Sequence, residues 1–389
     1  MTDDTPLPFD LPAVRRKKLT VDFNGGNQSS DAGLLLLREA ERKFGVCRRL
    51  AAAMPDRRDP DRIRHEMFEL VMARTSAIAC GHKDAIDLDR LRHDPLMKVV
   101  VGRCPQSGAP LASQSTISRL ENAPSKSEAA RLCAALLDQF GGTVKPGRME
   151  ILDIDDTFYA AHGGQQLAFW NAHEDERGFA SMHIYHVASG TPVATILRPA
   201  RTPKGTEVRT VIKHVTKHLR KHWPNTRIIW RGDSHYGRVE AMEWAQDDGD
   251  DYIFGLAGNT TLDALVAETA DNLRFHHAKS KKTKLRTYAS FTYQAGSWKQ
   301  PRKVVARLEC SLQPDAGDTT STGMRQEVNY TGPQPSSLTN VPDSFSSYET
   351  NSARRRARSR SNAPLMKWRR PARASCFKVG AGELHCRGM

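Results

Sequence analysis

The sequence lacks the features of a membrane protein and of a disulfide-rich secreted protein. No apolar run approaches the roughly 20 residues of a membrane-spanning helix, and the start MTDDTPLPFDLP lacks the basic and apolar regions of a signal peptide. The cysteines are odd in number and never spaced as CxxC, so neither a disulfide framework nor a zinc ribbon is indicated. We therefore expect a cytoplasmic protein with reduced thiols and no membrane partner. The cysteines are Cys47, Cys80, Cys104, Cys133, Cys310, Cys376 and Cys386.

The sequence has fewer acidic than basic residues. The chain has 389 residues, with 58 Lys and Arg against 44 Asp and Glu, a formal net charge of +14. Positive charge of this size favours polyanionic partners, because binding them releases condensed counterions. A basic protein with no such partner is the alternative. We take nucleic acid as the leading partner.

Residues 1–145 are expected to form a mostly helical DNA-binding region. The run from Ser30 to Phe44 is typical of a capped helix, and Ile63, Met67, Leu70 and Val71 indicate a second helix. The stretch SQSTISRLE, Ser113 to Glu121, has the small polar start and the arginine of a DNA-reading helix. Such a short pattern is also common in ordinary helices.

Residues 146–258 carry a regular succession of elements. A strand at 150–155 precedes a hairpin of strands at 182–187 and 192–197, and a helix, a strand at 227–230, a helix and a strand at 252–256 follow. The order β-β-β-α-β-α-β matches the ribonuclease-H-like α/β fold. In that fold the first and fourth strands lie side by side, so carboxylates at their ends can converge.

Carboxylates stand at the ends of two of these strands. Asp153, Asp155 and Asp156 lie in ILDIDDT, and Asp233 follows the strand of IIWRGDSHYG. Carboxylate oxygens are ligands for hard cations such as Mg²⁺, and two such ions can activate water or a 3′-hydroxyl. The other interpretation is that these aspartates only cap the turns that follow.

The helix between the third and fourth strands has a basic side. Lys213, Lys217, Arg220 and Lys221 are expected to face DNA phosphates. His214, His218 and His222 recur every four residues, a spacing that can bind zinc, but the surrounding positive charge favours a phosphate-facing surface instead.

Several long motifs resemble the insertion sequence 1380 group of bacterial DDE transposases. They are LTVDFNGGNQSSDAGLLLLRE, DLDRLRHDPLMKVVVGR, DIDDTFYAAHGGQQLAFWNAHEDERGF, LRPARTPKGTE, RGDSHYGR and DYIFGLAGN. The resemblance runs from about Leu19 to Leu308. It implies an enzyme that cuts and joins double-stranded DNA at the terminal repeats of an insertion sequence and in target DNA. It also implies Mg²⁺ or Mn²⁺ as cofactor, a homo-oligomer on DNA and a place at the nucleoid.

The resemblance also implies the site residues. Asp155 and Asp233 would be the catalytic, metal-binding aspartates, and Asp153 is a close neighbour that could also touch metal. Asp156 stands where the group more often has a small polar residue. The third carboxylate, a Glu in the pattern Tyr-x-x-Arg-x-x-x-Glu, is not found.

The last part of the sequence departs from the family pattern. Residues 259–310 are predicted to form a small β insertion, whereas 311–389 are crowded with Ser, Pro, Gly, Thr and Arg and are predicted to be a disordered basic tail. A frameshift near the end of the gene explains the tail, and a genuine disordered DNA-binding tail is the alternative. Two other functions stay open: a catalytically inactive DNA-binding relic, and a structure-selective nuclease.

Overall fold

We describe the chain from a computed structural model, which places residues 28–280, 282–314, 322–331 and 377–378, with side chains described for 29–280 and 282–311. The chain divides into a helical unit, Met1–Leu132 with Lys367–Met389, and a sheet unit, Cys133–Met366. Within the described ranges, no helix is both long enough and apolar enough to cross a bilayer. None of the five cysteines described there forms a disulfide.

The helical unit packs short helices around one apolar core. Helix α3 starts with a capping box in which Glu66 and Glu69 bind each other's backbone amides, and Asp94 caps α5 through two backbone N–H groups. The core includes Leu70, Met72, Leu88, Met97 and Ile117. The elements are β1 Gln28–Ser29, α1 Leu34–Phe44, α2 Val46–Ala53, α3 Met67–Ala79, α4 Leu88–Leu91, α5 Pro95–Val100, α6 Gln114–Asn122 and α7 Lys126–Thr143, which also enters the sheet unit.

The helices predicted in this unit are present, with shifted starts. The first begins at Leu34 rather than near Ser30, because Gly33 occupies the N-cap without a side-chain hydrogen bond. It ends at Gly45, whose φ of 65° is left-handed, a conformation that favours glycine. The second predicted helix is α3 and begins at Met67. The proposed DNA-reading helix is α6.

The first part of the sheet unit has the predicted order of elements, with one additional short strand. Each predicted strand is present, and β2 and β4 are longer than expected because they continue as a paired ribbon beyond the sheet's centre. The elements are β2 Met149–Ala160, β3 Phe169–Asn171, β4 Glu176–His186, β5 Pro192–Ile196, α8 Gly205–Leu219, β6 Arg227–Gly232, α9 Val239–Asp248 and β7 Asp251–Leu256.

The strands form a mixed sheet in which the first and fourth predicted strands are neighbours, as expected. Strand β2 pairs parallel with β6 and antiparallel with β4, β6 pairs parallel with β7, and β5 pairs with β4. Alternate residues of β2, Leu152 and Ile154, face the core beneath α8 and α9. Trp230 of β6 is fully buried there, and its indole N–H donates to Thr216 Oγ1 over 3.2 Å.

The elements that follow β7 add one helix and extend the same sheet beyond β7. Helix α10, Thr260–Lys279, was not predicted from the sequence, and its buried residues Leu262, Val266, Ala270 and Leu273 lie on one face. Strands β8 Lys284–Tyr293 and β9 Arg302–Pro314 include the two strands expected in the β insertion. Strand β10, Thr322–Thr331, pairs with β9 and, through Tyr330 and Thr331, with β7. Strand β11, Phe377–Lys378, pairs with β1.

Strand β10 corrects one expectation about the tail. Residues 322–331 were expected to be disordered, but they form backbone pairs along ten register positions with β9. An alternating pattern is hard to recognise in TGMRQEVNYT because only Met324, Val328 and Tyr330 are large and apolar, yet backbone pairing does not depend on side chains. The Arg-rich block at Ala353 to Arg360 lies outside the described residues.

Candidate functional site

The two predicted catalytic aspartates follow the last paired positions of neighbouring parallel strands. The register of β2 with β6 ends at Ile154 opposite Gly232, and Asp155 and Asp233 are the next residue in each strand direction. Neighbouring strands lie about 4.8 Å apart. Asp155 and Asp233 therefore lie at the same edge of the sheet, where parallel strands of α/β proteins end.

A tight turn after β6 holds Asp233. Its Oδ1 accepts from the backbone N–H of His235 over 2.9 Å, and its carbonyl oxygen accepts from Tyr236 N over 3.2 Å. The turn lies directly against β7, since a Cβ added at Gly255 would stand 2.8 Å from Ser234 N and 3.1 Å from Asp233 C. Glycine at 255 is thus what allows this close approach of two backbones.

Tyr236 marks the centre of a cluster of carboxylates. It is fully buried, and its hydroxyl has no hydrogen-bond partner among the described residues. Burial raises its pKa far above the ordinary value, and the charges of Asp156, Asp155 and Asp233 raise it further. Three aspartates are therefore close enough to act on one phenol.

Asp156 is a member of this cluster that the sequence did not single out. Side chains alternate along β2, so Asp156 shares the face of Ile154, while Asp153 and Asp155 share the other. Burial raises the pKa of Asp156, and the nearby charge of Asp233 raises it too, against the opposing influence of His235 and Arg198. The adjacent DD pair in ILDIDDT was the available signal.

Arg198 is the buried cation of the cluster. It is 3% exposed, its Nε donates to Glu207 Oε1 over 2.9 Å, and its Nη2 donates to the carbonyl of Arg201 over 2.6 Å. Its remaining nitrogen, Nη1, is buried with no partner among the described residues. Burial acts to raise the pKa of Glu207, but the hydrogen bond and charge of Arg198 outweigh it, and that pKa is lowered. Arg198 thus brings one positive charge to the carboxylates.

The structure gives Asp153 a role other than the expected metal contact. Its two carboxylate oxygens accept from Nε and Nη2 of Arg231, each over 2.5 Å, and both side chains are largely buried. The two residues are also register partners on β2 and β6. A carboxylate in a bidentate pair with arginine has few lone pairs left for a metal ion. We therefore leave Asp153 out of the metal site.

The chemistry of the cluster fits a divalent cation. Asp155 and Asp233 offer hard oxygen donors, and the raised pKa of Asp156 reflects burial together with negative charge that a cation would offset. Among the described residues, no three His, Cys, Asp or Glu side chains are grouped closely enough to hold a metal ion by themselves. Mg²⁺ commonly keeps several waters and binds through only one or two carboxylates, so two aspartates are a compatible donor set.

The predicted basic face of α8 is present in part. Lys213, Lys217 and Lys221 are exposed, and Lys221 Nζ lies 3.7 Å from Asp138. Arg220 differs from the expectation, because it follows the last turn of α8 and its guanidinium donates to the buried carboxylate of Asp250 and to two carbonyls in the segment between α8 and β6. Arg220 therefore holds the end of the helix and is not on the exposed face.

The three histidines spaced four residues apart do not point the same way, and only His214 and His218 lie on α8. The rings of His214 and His218 lie 4.4 Å apart, and His222 Nε2 lies 3.6 Å from Asp138. Burial lowers the pKa of His214, and the charges of His218 and Lys221 lower it further. His214 is thus biased toward its neutral form beside the exposed lysines.

Comparison with known proteins identifies the family and gives distant structural likenesses. No curated protein matches the sequence. The synaptic complex of piggyBac transposase with hairpin DNA is similar over 80% of this chain and 63% of that chain, at 10% identity and a TM-score of 0.37. The Drosophila P element transposase strand transfer complex is similar over 46% of this chain and 40% of that chain, at 9% identity and a TM-score of 0.18. This chain thus spans less than two thirds of either solved protein.

The family match covers far more of the chain than the aspartate motifs alone. It extends over residues 11–329, through both described units and into β10. It reaches beyond Leu308, where the motif resemblance ends. The chain therefore belongs to the family of transposases described as transposase DDE domain group 1.

Proposed function

We propose that this protein is a metal-dependent DNA transposase that cuts DNA at the ends of an insertion sequence and joins the freed ends to target DNA. The observation that carries the proposal is the position of Asp155 and Asp233, each one residue beyond the last register pair of the parallel strands β2 and β6. The strand order β5-β4-β2-β6-β7 supports a ribonuclease-H-like core, because β2 and β6, the first and fourth strands predicted from the sequence, are neighbours. Membership of the DDE family supports the same chemistry.

In this proposal Asp155 and Asp233 hold Mg²⁺ or Mn²⁺. The bound cation would supply activation of water or a 3′-hydroxyl and stabilise negative charge around the reacting phosphorus. Arg198 limits the repulsion among the carboxylates, and the turn from Asp233 to Tyr236 fixes the direction of the Asp233 side chain. Lys213 and Lys217 would position DNA phosphates, and the protein would act as a homo-oligomer at the nucleoid.

We further propose that the usual third carboxylate is lost through a frameshift in the tail. Glu309 is not a candidate, because Lys284 and Arg286 both bind its carboxylate and its pKa is lowered despite burial. Translating the other frames of the gene's 3′ region for Tyr-x-x-Arg-x-x-x-Glu tests this point.

The test of the function measures metal binding and DNA cutting separately. Wild type, Asp155→Asn, Asp233→Asn and Asp156→Asn are compared for Mn²⁺ binding by electron paramagnetic resonance, and for cutting of a fragment that carries the gene with its flanking DNA. We expect Asp155→Asn and Asp233→Asn to weaken Mn²⁺ binding in this chain. In a version whose restored reading frame supplies the third carboxylate, we expect the same substitutions to slow cutting by more than about a hundredfold, because several kcal/mol of stabilisation are lost at about 1.36 kcal/mol per tenfold. Asp247→Asn, an exposed aspartate of α9, is the matched control.

The outcomes separate the proposal from its alternatives. If Asp155→Asn still cuts DNA and Asp156→Asn does not, the first metal ligand is Asp156 rather than Asp155. Mn²⁺ and DNA binding without cutting by wild type would favour the inactive relic. Cutting that does not depend on the flanking sequence would favour a structure-selective nuclease.

A further inference from the structure

A concave pocket lies in the helical unit. It has a volume of about 580 Å³ and is formed by residues 54–70, Arg92, α6 and the residues that follow α6. The volume is in the range of pockets that enclose small ligands. Its walls carry an unusual concentration of guanidinium groups, from Arg57, Arg58, Arg62, Arg64, Arg92 and Arg119.

Half of these arginines are neutralised by carboxylates of the same pocket. Each of the three acidic residues that line it has one arginine partner within the pocket, at 2.5 Å for Arg58 and 3.4 Å for Arg62. The pairs are Arg58 with Asp56, Arg62 with Asp59, and Arg57 with Glu128. Six arginines against three carboxylates leave the pocket with three uncompensated positive charges.

The uncompensated charges belong to Arg64, Arg92 and Arg119. Among the described residues none of the three has a carboxylate partner, and Arg119 binds only within its own helix, to the Ser115 carbonyl over 3.1 Å and Thr116 Oγ1. Nε of Arg92 is buried without any acceptor in that part of the chain. A buried charged donor without an acceptor is costly, so the pocket suits an anionic ligand.

His65 gives an independent sign of positive potential in the same pocket. Burial lowers its pKa, and the charges of Arg103, Arg92 and Arg58 lower it further, although Glu69 acts the other way. Its ring is therefore biased toward the neutral form and can serve as a flat, uncharged wall. Apolar side chains complete the pocket, from Met54, Met67, Leu70, Leu120 and Ala123.

We propose that this pocket binds one unpaired nucleotide of a DNA strand, with Arg64, Arg92 and Arg119 on its flanking phosphates and its base against the apolar wall. Guanidinium groups suit phosphate because they donate in a fork. A base paired within a duplex cannot enter a concave pocket, whereas an extruded or overhanging base can. The ligand class rests on the proposed action on DNA, but the pocket itself rests on the arginine arrangement.

The test compares two labelled duplexes of the same sequence, one with a single unpaired thymidine, by fluorescence anisotropy in EDTA. We expect the full-length wild type to prefer the duplex with the unpaired base by about fivefold or more, as expected for one buried base. The double variant Arg64→Gln/Arg119→Gln should lose this preference and reduce the slope of log affinity against log salt by about two. Both side chains are exposed, so the fold should be retained, which circular dichroism checks.

Matched controls make each outcome decisive. Arg49→Gln removes an exposed arginine of α2 that does not line the pocket, and it should keep the preference. Equal affinity of wild type for both duplexes would overturn the unpaired-nucleotide proposal, and so would DNA binding that the double variant leaves unchanged. Thermal stabilisation by deoxythymidine monophosphate or inorganic phosphate in wild type, with no effect of the variant on DNA binding, would assign the pocket to a small anion instead.

The result is independent of cutting. Asp155→Asn and Asp233→Asn should bind the unpaired base as wild type does, because the assay contains no divalent cation. If the protein cuts DNA but shows no preference for the unpaired base, the proposal for the pocket is wrong and the proposed function still stands.

Discussion

Aspartates of the sheet unit differ in role because their neighbours differ. Asp153 binds an arginine on the next strand, Asp233 accepts from a backbone N–H in a turn, and Asp156 is half-buried near like charge. Asp250 is a fourth case, with a fully buried side chain that accepts from Arg220 and from Thr216 Oγ1. Its position at the start of β7 gives it a structural role rather than a catalytic one.

Asp250 should give the protein a measurable pH dependence of stability. Burial, which Arg220 only partly opposes, raises its pKa from 3.8 to about 6. Because the folded-state pKa is above the unfolded one, its stabilising contribution is full below 3.8 and is lost as the pH rises to about 6. We expect Asp250→Asn to remove a fall of up to about 3 kcal/mol in the free energy of unfolding across this window. Urea unfolding at several pH values measures it.

The control for this prediction is an exposed aspartate. Asp271 pairs with Arg274 on the surface of α10, so Asp271→Asn should leave the pH dependence as in wild type. If Asp250→Asn has the same pH profile as wild type, Asp250 does not titrate as its burial implies.

At the scale of elements, the turn after β6 and strand β7 form one unit. Gly237 of the turn lies directly against Gly255 of β7, since a Cβ at 237 would stand 2.5 Å from the Gly255 carbonyl oxygen. Backbone atoms on both sides leave no flexible side chain to move away. The position of Asp233 therefore depends on two glycines, one in the turn and one in the neighbouring strand.

Replacing Gly255 by alanine should displace this turn. The added Cβ meets Ser234 N at 2.8 Å, so we expect a loss of about 1 to 3 kcal/mol in stability, as for other overpacked sites. Mn²⁺ binding should weaken at the same time, because Asp233 moves. Gly296→Ala is the control, since a Cβ there meets nothing within 4 Å. A stable Gly255→Ala protein with normal Mn²⁺ binding would contradict this account of the turn.

The elements that the sequence predicts best are those with strong periodicity. Helix α8 follows from its buried stripe of Val208, Ile212, Val215 and Leu219, and β6 from a short apolar run before Asp233. Helix α10 was missed because charged and polar residues surround its narrow apolar face. Strand β10 was missed because backbone pairing between β7 and β9 holds it, and that pairing leaves no signal in composition.

At the scale of the molecule, each of the two units has its own group of basic residues. Lys213 and Lys217 are exposed on α8 of the sheet unit, whereas the uncompensated arginines lie in the pocket of the helical unit. Basic residues of both units would therefore contribute to the salt dependence of DNA binding. Variants in each unit can measure the contributions separately.

The contribution of α8 is testable by its salt dependence. We expect Lys213→Gln/Lys217→Gln to lower the slope of log affinity against log salt by about two, if each lysine contacts one phosphate. Lys279→Gln/Lys299→Gln is the matched control, because it removes the same charge elsewhere in the sheet unit. An identical slope in wild type and the α8 variant would exclude that face from DNA binding.

The sequence predicted part of the candidate site. Asp155 and Asp233 were recognisable because each follows an apolar strand, and the strand order makes those strands neighbours. Tyr236 and Arg198 were not, because their proximity to the aspartates depends on how the turn and the segment before α8 pack. Arg220 was misjudged because sequence spacing cannot show that a residue after the last helical turn points back to a buried acid.

Strand β10 has a consequence for where a gene of this kind can be interrupted. It joins β7, which lies against the Asp233 turn, to the hairpin of β8 and β9. A stop codon between positions 311 and 330 would leave peptide groups of β7 and β9 without partners, and unpaired strand edges promote association between chains. Deletions that end there would retain Asp155 and Asp233 but produce a protein prone to aggregation, so mutations of this class would resemble null alleles although both aspartates are unchanged.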